Sequence, residues 1–182
     1  MKRVGCLLAV ILGMILAQPV QAEPSSGFAI YGGPANLAVV DADIGDDYGA
    51  ANFGGGVDYQ WAWGRLFSWV LMYDEYSGSI NIPELPEVTT VKVSTLAAQL
   101  RLWLGRWYLG FQRGNSTVVV AQDNLSYDLS GGVTGGGFTL GIEGKGGWFA
   151  SLGVDRTEGI QLPDGPMVNV SGSRVRLGYR WK

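Results

Sequence analysis

From about residue 50 onward, apolar and polar positions alternate with period two, the pattern of strands with one apolar and one polar face. Phe53, Val57, Tyr59, Trp61 and Trp63 share one face of a strand whose other face holds Asn52, Gly54, Gly56, Asp58 and Gln60. Phe67, Trp69, Leu71 and Tyr73 then oppose Ser68, Val70, Met72 and Asp74. Leu96, Ala98, Leu100, Leu102 and Leu104 oppose Gln99, Arg101 and Trp103. Shorter runs repeat the pattern at 107–112, 138–143 and 148–155, placing Glu143 and Asp155 on polar faces. The last run sets Val175, Leu177, Tyr179 and Trp181 against Arg174, Arg176 and Arg180. A first strand is expected near Phe28 and Ile30. There Gly32-Gly33-Pro34 predicts a bulge that resets the register before Leu37, Val39 and Val40.

Three glycine-plus-basic turns punctuate these runs, at Gly64-Arg65, Gly105-Arg106 and Gly144-Lys145. Their first glycines lie 41 and 39 residues apart, so the chain beats in hairpins of about forty residues. Between the short turns, polar segments at 41–50, 75–90, 114–132 and 156–170 carry Pro, Asp, Asn and Gly and read as long loops. Eight antiparallel strands with short turns at one end and long loops at the other predict an all-β, up-and-down transmembrane β-barrel.

The start of the chain follows another logic. Lys2 and Arg3 precede an apolar run from Val4 to Ala17, and Val20-Gln21-Ala22 offers small residues for cleavage. The run is shorter than the roughly 20 residues a spanning helix needs. Residues 1–22 are therefore expected to be a cleaved secretory signal peptide, and 23–182 the barrel. Cleavage would remove two of the 13 basic residues, leaving 11 against 16 acidic ones, a balance that disfavours nucleic acid as a partner. Cys6 would leave too, so no disulfide is expected.

Composition bears on which face meets what. Charged residues make up 16 % of the chain, against about 25 % in soluble proteins, while 47 % is hydrophobic. A soluble, lipocalin-like lipid carrier would need a charged exterior, yet the polar faces hold mostly small uncharged residues, which suit a narrow lumen. All seven tryptophans fall near a short turn or the C-terminus. Trp61, Trp63, Trp69, Trp107, Trp148 and Trp181, with Tyr179, are expected to form a membrane-interface belt, while Trp103 falls on the inward register.

The final strand, Val175-Arg-Leu-Gly-Tyr-Arg-Trp181-Lys182, resembles that of small outer-membrane barrels of the OmpA-transmembrane-domain, OmpX and opacity-protein group. The resemblance implies export to the periplasm, assembly into the outer membrane, outer-membrane lipid as surroundings, and recognition of this strand by the barrel-assembly machinery. It implies no ligand.

The sequence has no histidine, which excludes Ser-His hydrolysis and, with Cys6 gone, zinc sites built on His or Cys. No enzymatic activity and no cofactor or metal is expected. The acidic run 41–47 misses the EF-hand spacing, and Gly131–Gly137 lacks the Lys-Ser/Thr of a phosphate loop. Asp58, Asp74, Arg101, Glu143, Asp155, Arg174, Arg176 and Arg180 share the inward face. An eight-strand interior is nearly filled by side chains, so these charges are expected to pair into a plug, with a pore lining as the alternative. Two functions follow: a non-enzymatic surface protein displaying four loops for adhesion, interaction or envelope integrity, or a channel for small solutes or hydrophobic molecules.

Overall fold

The computed structural model describes residues 24–41, 47–80, 89–122, 125–128, 133–161 and 167–182. The expected signal peptide and most of the acidic run lie outside them. Among the described residues there are nine strand segments: β1 Gly27–Asp41, β2 Asp47–Trp63, β3 Phe67–Ile80, β4 Thr89–Leu104, β5 Trp107–Gln122, β6 Leu125–Asp128, β7 Val133–Glu143, β8 Trp148–Gln161 and β9 Met167–Trp181. They make eight walls. β6 and β7 lie end to end along β5, which pairs through Val119–Gln122 with the first and Trp107–Ser116 with the second. Every pairing is antiparallel, and β9 pairs with β1, so the sheet closes into a barrel.

At one end the connections are short because glycine allows the chain to reverse sharply. Gly105, with φ of 67°, and Arg106 alone join β4 to β5, a backbone geometry that residues with a Cβ adopt at a cost.

Two expectations need correction. β1 has no bulge: it pairs with β2 in one unbroken register from Gly27↔Gln60 to Val40↔Asp47. Pro34, which has no N–H to give, points outward, and the ladder to β9 skips only Gly33 and Pro34 before resuming in the same register. Leu37 consequently faces inward and is buried, on the face opposite Phe28 and Ile30. The strands also run far into the segments read as loops. β3 continues to Ile80 and β5 to Gln122, while β4 starts at Thr89.

These extensions invert the side-chain pattern. In the half of the barrel nearer the short turns, Leu71, Leu96, Phe111, Phe138, Leu152 and Leu177 point outward and are exposed, while the charged and polar residues lie inside, interleaved with Ala29, Val70, Met72, Ala97 and Phe149. Farther along the same strands, Leu37, Tyr76, Val91, Val93, Val118 and Val170 are buried inside. The outward positions there include Ser77, Lys92, Ser94, Asn115 and Ser173, with Ala38, Ala51 and Val119 among them. On β4 the switch is complete within one strand: Leu96 to Leu104 outward around Gln99 and Arg101, then Lys92 and Ser94 outward around Val91 and Val93.

Candidate functional site

The alternation of β2, β3, β4, β7, β8 and β9 brings all eight sequence-predicted charges into the lumen. They form two groups. Nearer the short turns, Asp58 on β2 takes Arg101 Nη2 at 3.2 Å from β4 and Arg180 Nη1 at 2.7 Å from β9. Arg180 Nε also donates to Glu143 at 3.1 Å, and Lys182, half exposed at the rim, lies 3.9 Å from the same carboxylate. Arg101 completes its fork on Gln60 at 2.8 Å and Gln99 at 2.6 Å.

Deeper toward the loop end, Asp74 on β3 accepts from Arg174 at 2.9 Å and Arg176 at 2.7 Å, and also from the Tyr31 hydroxyl. Arg174 spends its other Nη on Asp155 at 2.5 Å. Among the described residues four lumenal arginines thus face four carboxylates, and the network they form is neutral. Arg101, Arg174, Arg176 and Arg180 are each no more than 2 % exposed. In so dry a space an unpaired charge would cost several kcal/mol, so each cation's partners are a condition of folding.

Each guanidinium also lies over a ring. Arg101 sits 4.5 Å from the Tyr108 centroid, Arg174 4.5 Å from Tyr76, Arg176 5.5 Å from Tyr31 and Arg180 5.6 Å from Phe149. The sequence reading missed these rings. A signal for them exists in the pairing: each faces a glycine in register. Tyr31 meets Gly56 and Gly178, Tyr76 meets Gly54, Tyr108 meets Gly141, and Phe149 meets Gly178. The missing side chains leave the room that the rings occupy. A Cβ at Gly141 would stand 2.2 Å from Tyr108 Cζ.

The ion pairs run across the barrel. β9 is separated from β3 by β1 and β2, so the contacts of Arg174 and Arg176 with Asp74 span the lumen. Above them, Leu37, Tyr76, Val93 and Val118 fill the loop-end interior. Charge pairing and apolar packing both oppose a continuous water path.

Trp61, Trp63, Trp69, Trp107, Trp148 and Trp181 are between 47 % and 72 % exposed, all outward near the short turns. Tyr179 stands among them, edge-on to Trp148 and Trp181. Trp103 is the inward exception and gives its indole N–H to Ser68 at 2.8 Å.

Solved structures share this architecture. The barrel of Ail, the attachment invasion locus protein of Yersinia pestis, superimposes with a TM-score of 0.59 at 13 % identity, over 87 % of this chain and 100 % of that one. Neisserial surface protein A gives 0.58 at 14 % identity over the same shares. OprG of Pseudomonas aeruginosa gives 0.50 at 11 %, over 88 % of this chain and 99 % of that one. The fold is that of the small outer-membrane β-barrels. No protein-family model and no curated protein matches the sequence. At these identities the likeness concerns backbone architecture alone.

Proposed function

We propose that this chain is a non-enzymatic outer-membrane β-barrel whose closed lumen makes it a rigid support for contacts at its loop end. The inversion of side-chain pattern along the strands carries the reading. A soluble barrel would keep its apolar face inside along the whole axis. Here the outward positions from Phe53 to Trp63, Phe67 to Tyr73, Leu100 to Leu104 and Val175 to Trp181 carry no charge, and the outward Arg113 and Arg156 stand at the loop-end edge of this band, level with Ala98 and Gly136. Lipid suits such a band, with the tryptophans and Tyr179 at its headgroup edge. Beyond the band the barrel regains a polar exterior over an apolar interior, as a segment standing in water would.

Secretion through the leader, assembly by recognition of the C-terminal strand, and a loop-end role in adhesion or envelope integrity belong to the same proposal. Ail is by name an attachment protein and was solved with the heparin analogue sucrose octasulfate. The connecting segments here carry Asp43, Asp46, Glu84, Glu87, Asp123 and Asp164, and Asp41 and Asp47 border the first of them. Such a loop end would repel a polysulfated ligand, so the contact proposed is with a different chemistry. Fractionation followed by gel mobility with and without boiling tests the placement. A membrane fraction with heat-modifiable mobility is expected; protein found wholly in the soluble periplasm would overturn the reading.

A further inference from the structure

One stretch of the outer wall is not smooth. The in-register row Ile142↔Ala150↔Leu177 crosses β7, β8 and β9 with a methyl between two branched side chains. Ala150 is the floor of a groove of about 420 Å³, walled by Ile142 and Leu177 and edged by Trp148. At its turn-end mouth stand Gly144 and Arg106. Arg106 is exposed and makes no ion pair among the described residues, and Lys145, next to Gly144 in sequence, is exposed beside it. Glu143 also borders the groove, but its carboxylate is buried in the lumen on Arg180. The site therefore presents an apolar trough with cations, and no outward carboxylate, at the level of the tryptophan belt.

We infer that this groove seats one anionic glycerophospholipid of the leaflet at the turn end, an acyl chain lying over Ala150 and the phosphate on Arg106. The inference rests on the membrane placement proposed above. A phosphate oxygen accepts from the guanidinium, a pairing that arginine's planar fork favours. The anionic headgroup brings no ammonium of its own to compete with Arg106. Trp148 edges the groove and so reports an occupant directly.

The test uses the folded full-length barrel in vesicles of phosphatidylcholine mixed with phosphatidylglycerol, with brominated acyl chains on one lipid at a time. Bromine quenches nearby tryptophan, and the Trp148 share is the difference between each protein and its Trp148→Phe partner. Brominated phosphatidylglycerol should be preferred about fivefold at Trp148, the scale of one interfacial cation acting on an anionic lipid. Arg106→Gln and Ala150→Leu, the second filling the groove without adding charge, should each bring the two lipids to parity. Arg65→Gln, which removes a turn cation outside the groove, should leave the preference in place. Equal quenching by both lipids in the wild type, or the same loss in Arg65→Gln, would overturn the groove alone. A wild-type chain that fails to insert, with no heat-modifiable mobility, would overturn the membrane placement and the groove with it.

Discussion

Each of the four lumenal arginines lies between a carboxylate and the face of a ring. Asp74 is the most heavily used acceptor, shared by Arg174, Arg176 and Tyr31. Removing one partner of a buried pair leaves the other uncompensated, at about 3–5 kcal/mol. Asp74→Ala should therefore destabilise the barrel more than Arg176→Ala, because it strands Arg176 and leaves Arg174 with Asp155 alone, whereas loss of Arg176 leaves Asp74 with Arg174. Urea unfolding in vesicles, followed by tryptophan fluorescence, measures both. The inward placement of the eight charges was legible in the sequence because period two separates faces without reference to anything distant. Their partners were less so. Arg101 with Asp58 and Arg174 with Asp155 follow from opposite charge at similar height. The sharing of Asp74 by two β9 arginines depends on strand stagger across the lumen, which no local pattern encodes.

At the scale of the strand, the face of each residue was readable and the length of the element was not. Outward Leu152 and inward Ser151 are adjacent on β8, so they separate the two environments cleanly. Leu152→Arg should impair assembly, at about 2–4 kcal/mol if the site lies near the bilayer midplane, while Ser151→Asn should be far better tolerated. Yield of the heat-modifiable form reports both. Gly141→Ala is expected to destabilise by about 1–3 kcal/mol, since the added methyl would collide with Tyr108 and the ring is held under Arg101. The same unfolding assay would show it. The polar segments looked like loops because Pro, Asn and Asp are turn residues, yet Val118 within one and Val91 and Val93 at the edge of another were the strand signal. The bulge expected in β1 failed for a related reason. Glycine and proline there sit at positions where the wall loses no register, Pro34 simply pointing outward.

For the whole molecule, closure of the wall and closure of the lumen are separate facts. The wall closes because β1 pairs on both sides along nearly its full length, with β2 and with β9. The lumen closes because a neutral network of ion pairs spans it and an apolar layer caps it toward the loop end. The same sequence period could have produced a water-lined pore had like charges lined opposite walls. The measurement that separates these is single-channel current through the purified barrel in planar bilayers. A folded, heat-modifiable sample should give little steady conductance, and Arg176→Ala should act mainly by lowering stability. A large, steady conductance in the wild type, shifted toward cations by Arg176→Ala with unfolding unchanged, would contradict the closed lumen and make the protein a channel.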